Sequence, residues 1–132
     1  MKLLQRLLKV QAALWLIWSL GVLIAPAWVV EDLLRQPPTS QYAWLREMGI
    51  MGLVLAMLMV LVSQRIEEFW WWSWAFAVLE VGTATLLVVT ASFGLSSDAV
   101  AWPWWVLAAV NAAIGAGLLV GMSDAGQEKP FV

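Results

Sequence analysis

Residues 69–97 read FWWWSWAFAVLEVGTATLLVVTASFGLSS. Tryptophans crowd the head of the run, and Glu80, near its middle, is its single charge. A helix of this length crosses the ~30 Å hydrocarbon core of a bilayer, so the stretch reads as a membrane span. Glu80 then falls close to the midplane, where a charge costs at least ~2.5 kcal/mol. The question for the rest of the chain is what surrounds that carboxyl and why it is tolerated.

Composition points the same way. Of 132 residues, 63% are hydrophobic and 12% charged, against roughly 25% charged in soluble domains. The net charge of −2 comes with no basic patch, which sets nucleic acid aside as a partner. Histidine and cysteine are both absent. Their absence excludes disulfides, thiol nucleophiles, Cys/His metal sites and His-ligated haem, and removes the commonest general base. Any chemistry would then rest on carboxylates, Asn, Tyr or a bound cofactor; the leading expectation is a non-enzymatic protein, with no catalytic residue, metal or cofactor assigned.

Working outward, three more apolar stretches predict an all-α fold: a four-transmembrane-helix antiparallel, up-down-up-down bundle. Residues 1–132 form a single integral membrane domain with spans at about 10–30, 42–62, 69–92 and 101–122. Residues 25–27, Ala-Pro-Ala, resemble a signal-peptide cleavage site. The apolar run continues through Trp28–Val30, longer than a signal peptide needs, so a first span is the better reading. Pro26 should kink or end it. Pro37-Pro38 break the chain before span two, with Thr39 or Ser40 as its cap. The SQRIEE loop, about 63–68, makes spans two and three neighbours. Asp98 is a candidate cap, and Pro103 suits the first turn of span four. The tail SDAGQEKPFV reads as short, polar and mobile.

Small residues mark where helices meet. On span two these are Gly49, Gly52 and Ala56; on span four, Ala113, Gly117 and Gly121. On span three, Ser73, Ala77, Glu80, Ala84, Leu87 and Ala91 recur every three or four residues and share a face. The opposite side carries Val78, Leu79, Leu86 and Val89. Glu80 should therefore point into the bundle. Counted from the span ends, Glu80, Asn111 and Ser19 share a level near the midplane. Arg46 lies roughly eight residues, ~12 Å, nearer the outer surface. Asn111 is thus the expected hydrogen-bond partner of Glu80.

Lys2, Arg6, Lys9, Arg65 and Lys129 fall on one side of these spans; Arg35 and Arg46 fall on the other. The excess places both termini in the cytoplasm of a multi-pass protein. Trp70, Trp71, Trp72 and Trp74 would belt the inner interface. Trp28, Trp44, Trp102, Trp104 and Trp105 would belt the outer one.

The order of features, LIAPAW, LLRQPP, REMG, SQRIEE and EVG, resembles the small bacterial four-helix membrane proteins grouped as DoxX-like. The similarity runs over about residues 25–122, and its most specific elements are Arg46/Gly49 and Glu80/Gly82. The resemblance implies an inner-membrane location and a subunit working beside a quinone-linked oxidoreductase.

The candidate ligand- or proton-binding residues are Glu80, Asn111 and Arg46. An intramembrane carboxyl is by default a functional hypothesis; equally, a carboxyl bonded to an amide is a structural link between helices. Arg46 and Glu47 read as charges snorkelling to headgroups, or as an anion site at the bundle mouth. Glu67 and Glu68 suit a helix N-terminus, and the adjacent Glu31 and Asp32 make a poor metal pair. Three function classes follow. The first is an accessory subunit, or a binder of lipid or a small apolar ligand. The second is a Glu80-driven transporter acting as a dimer. The third is a membrane subunit of a quinone-linked oxidoreductase. Expected partners are the bilayer and either a membrane protein or a second copy.

Overall fold

The computed structural model describes residues 1–129 and is all-helical among them. The main helices are α1 (Lys2–Ile24), α2 (Ala43–Gln64), α3 (Ile66–Phe69), α4 (Ser73–Val89) and α5 (Trp102–Glu128). A 3₁₀ turn, Trp70–Trp72, joins α3 to α4, and a π turn, Thr90–Gly94, extends α4. Four helical segments are long and apolar enough to cross a bilayer: α1, α2, the composite Ile66–Gly94, and α5. The chain is therefore read as a multi-pass membrane protein.

Several boundaries differ from expectation. α1 starts at Lys2, not near residue 10, because residues 2–14 are mostly strong helix formers (Leu, Lys, Arg, Gln, Ala). It stops at Ile24, where Pro26 has no N–H to offer the Val22 carbonyl. A π turn, Trp28–Leu33, follows, and Arg35 ends it at φ 51°. Thr39 and Ser40 do not cap α2; its N-cap is Tyr42, with no side-chain bond, and Thr39 Oγ1 accepts only from Gln41 N at 3.4 Å. Asp98 does not cap α5 either, whose N-cap is Ala101, while Pro103 sits in the first turn. The SQRIEE loop shrinks to a turn at Arg65, and the expected polar tail is helical to Glu128. Residues 130–132 of that tail lie outside the described residues.

Packing follows the small residues. α1 lies most closely on α2, and α4 on α5. Contacts between α1 and α2 run in opposite order along the two helices: Gln5 Nε2 donates to the Ser63 carbonyl at 2.8 Å, Trp15 lies over Gly52, and Val22 and Leu23 lie over Gly49. A Cβ at Gly49 would come within 2.7 Å of Val22 Cγ2, and one at Gly52 would strike Ser19 Oγ. On α5, Gly117 and Gly121 face Leu7 and Leu4 of α1, whereas Ala113 is exposed and takes no part in that ladder. The predicted face of α4 holds: Ser73, Ala77, Glu80 and Ala84 are buried, and Leu87 and Ala91 half-buried. Leu79, assigned to the opposite side, packs against the core.

The polarity of this fold is inverted relative to a soluble domain. Ile17, Val78 and Leu86 are each about two-thirds exposed, while Gln11, Ser19, Ser63, Ser73 and Glu80 are buried. An apolar exterior of this extent fits hydrocarbon as solvent. Most of the belt tryptophans are exposed, but Trp70 is buried, packed beside Gly126 of α5. The cluster therefore contributes one core residue as well as surface anchors.

Candidate functional site

Glu80 stands at the midpoint of the composite helix Ile66–Gly94 and is 1% exposed. Two side chains of α1 reach it. Gln11 Nε2 donates to Glu80 Oε1 at 2.7 Å, and Trp15 Nε1 donates to the same oxygen at 2.8 Å. Gln11 Nε2 also approaches the Phe76 carbonyl at 3.3 Å. Gln11 and Trp15 are four residues apart, so both project from one face of α1 toward α4. The two backbones are not close neighbours at this level; long side chains bridge the gap. The bridge is fixed from behind, since Trp15 rests on Gly52 of α2 with no room for a Cβ between them.

The Glu80–Asn111 pair expected from depth does not form. Asn111 Nδ2 donates to the Leu107 carbonyl of its own helix at 2.7 Å. The physical reason is register. Because α1 begins eight residues before the expected boundary, its centre falls between Gln11 and Trp15 instead of near Ser19. Because α5 continues to Glu128, its centre is Gly115, one turn inward of Asn111. Gly115 is what faces Glu80 and its neighbour: a Cβ there would stand 3.1 Å from Val81 Cγ2 and 3.3 Å from Glu80 Cβ. Ser19 packs instead at Gly52, its buried Oγ without a hydrogen-bond partner among the described residues. Arg46 is exposed near the start of α2, and no salt bridge joins it to Glu80 among the described residues.

Glu80 and Asn111 nevertheless meet a common space. A cavity of about 350 Å³ opens between α1, α4 and α5, and both residues line it. Trp15, Trp18 and Thr83 add the other polar or aromatic groups, and the remaining wall is aliphatic. Gln11 and Trp15 were missed as site residues, although one signal was present: they are the polar and N–H-bearing side chains at i and i+4 in the apolar half of α1. Treating Lys2, Arg6 and Lys9 as outside the helix hid it. Among the described residues no cluster of His, Cys, Asp or Glu could hold a metal ion.

A second hollow, about 580 Å³, lies between α4 and α5 and is lined by Val88, Ala84, Ala108, Ala112 and other apolar side chains, with Thr85. Thr85 spends its hydroxyl on the Val81 carbonyl at 2.8 Å. Trp105 adds an indole ring to this hollow, but no charged side chain is among the residues that line it. No protein-family model, curated protein or solved structure matches the chain.

Proposed function

We propose that this integral membrane protein binds one small, mostly apolar molecule from within the bilayer, in the cavity between α1, α4 and α5, and performs no chemistry on it. One observation carries the reading: a buried carboxyl, held by the two N–H groups of Gln11 and Trp15, lines an otherwise largely apolar cavity of about 350 Å³. Ligand sites are typically such spaces, a few hundred Å³ of apolar wall with few placed polar groups. Both termini face the cytoplasm in this reading, from the distribution of Lys and Arg, and the membrane is a bacterial inner membrane.

Native mass spectrometry of the full chain released from nanodiscs tests it. A retained small molecule should be lost in Val110→Phe, which fills the cavity, and kept in Ala112→Leu, which fills the other hollow. No adduct on the wild type, or equal retention in both variants, would refute the reading. A second reading, an accessory subunit beside a quinone-linked oxidoreductase, follows from the DoxX-like resemblance. The alanine-lined hollow between α4 and α5 favours it, since small residues let a partner helix approach. A stoichiometric protein partner surviving purification in mild detergent would support that reading.

A further inference from the structure

We infer that the occupant of the Glu80 cavity is a lipophilic cation, an amine or quaternary ammonium carrying apolar groups; the inference rests on the cavity-binding reading above. The groups that line the space decide the sign of charge. Glu80 is the one ionisable side chain among them, and no Lys or Arg contributes to the wall. No ion pair reaches Glu80 among the described residues. An anion would meet a carboxyl with no cation to offset it, in a medium where charge is poorly screened.

Hydrogen-bonding capacity points the same way. Both donors that fix Glu80 converge on Oε1, and Oε2 accepts none among the described residues. One N–H of the Asn111 amide is committed to Leu107, and its carbonyl oxygen accepts no hydrogen bond among the described residues. Glu80 Oε2 and the Asn111 carbonyl oxygen are thus acceptors left for an occupant. The Thr83 hydroxyl and the Trp18 N–H add adaptable contacts. The remaining ingredient is aromatic: Trp15 and Trp18 present indole rings to the same space as the carboxyl. An acidic group beside indole rings is the arrangement that holds ammonium groups, through charge and the ring quadrupole together. Aliphatic residues such as Leu14 and Leu87 would take the apolar remainder. A cation also offsets the cost of a carboxylate in hydrocarbon, so ligand and site each relieve the other's desolvation.

The test uses the full chain in nanodiscs, with empty nanodiscs as the reference for partitioning. The probes are benzyltrimethylammonium and its neutral isostere neopentylbenzene, and binding is read by equilibrium dialysis. The cation should bind on the order of tenfold tighter than the isostere, after subtraction of the lipid background. Glu80→Gln should remove that preference and leave the isostere unchanged, because glutamine still accepts from Gln11 and Trp15 and keeps the fold. Val110→Phe, which leaves Glu80 in place, should weaken both probes and guards against misfolding of the first variant. Equal binding of the two probes, insensitive to Glu80→Gln but blocked by Val110→Phe, would overturn the cation while sparing the cavity. Binding of neither probe to the wild type would overturn both.

Discussion

α4 borders two hollows, and they differ in kind. The one it shares with α5 alone is larger, about 580 Å³, and its wall is mostly alanine and valine, with Thr85 and Trp105. The one that also involves α1 is about 350 Å³ and contains Glu80, Asn111, Thr83 and two tryptophans. In water, the larger apolar hollow would be the more attractive ligand site. In a bilayer the ranking reverses. Lipid chains fill any apolar recess, and their tails are as apolar as leucine, so no hydrophobic gain distinguishes one occupant from another. Discrimination needs a polar group that lipid cannot satisfy; no charged side chain is among the residues lining the larger hollow, and the smaller one offers a buried carboxyl. Its polarity is also built from three helices, whereas the larger hollow uses two.

The strongest way to break this contrast is to disturb the support behind Trp15. Gly52→Ala places a methyl group on Ser19 Oγ and within 3.0 Å of Trp15 Cε3. It should cost about 1–3 kcal/mol in detergent melting and weaken occupancy of the smaller hollow. Gly82→Ala is the control. A Cβ there meets nothing within 4 Å, so stability should hold or rise by up to about 1 kcal/mol. Gly82 has no close-packing role among the described residues.

Next in size is Glu80→Ala, which strands the N–H groups of Gln11 and Trp15 in the core. A loss of about 1–2 kcal/mol is expected, above the ~0.6 kcal/mol average for one intramembrane hydrogen bond because two donors lose their acceptor. Ala112→Leu, in the larger hollow, should stay within about 0.5 kcal/mol of the wild type, since it exchanges lipid contact for protein contact. Comparable losses from the two substitutions would erase the difference between the hollows.

The smallest effect lies outside both. The Tyr42 hydroxyl donates to Glu31, ahead of α2, and that bond raises the phenol above its ordinary value. Its contribution is fully present below a pH of about 10 and is lost as pH rises through the higher folded value. Tyr42→Phe should therefore lower the melting temperature slightly at neutral pH, and the gap should close in strong alkali. Persistence of the gap there would show that the phenol's hydrogen bond is not its source.

The sequence made the fold class legible because apolar runs of membrane length admit few other readings. It also made the inward face of α4 legible, since a 3–4 residue recurrence of small and polar side chains has one geometric meaning. The partner of Glu80 was not legible. Depth counting depends on where each helix starts and stops, and a change from apolar to polar residues does not mark the end of α1 or α5. Polar residues at 2–9 and 123–128 lie within the helices: Leu, Gln, Lys and Arg at 2–9 are good helix formers, whereas α5 runs on through Ser123, Asp124 and Gly126 despite their weaker propensity. Shifts of about six to eight residues moved the expected partner from Gln11 and Trp15 to Asn111. Gly115 was invisible for another reason: it makes room for Glu80 and Val81 of α4, and a glycine in a helix with several others carries no signal of which neighbour needs the room.

A pair of double-mutant cycles tests the central assignment most directly: Glu80→Ala with Gln11→Ala, and Glu80→Ala with Asn111→Ala, each read by melting of the full chain in detergent. The first cycle should show a coupling energy of about 0.6–1.7 kcal/mol and the second none beyond ~0.3 kcal/mol. Coupling to Asn111 with none to Gln11 would place the carboxyl on α5 and remove the bridge from α1 on which the cavity depends.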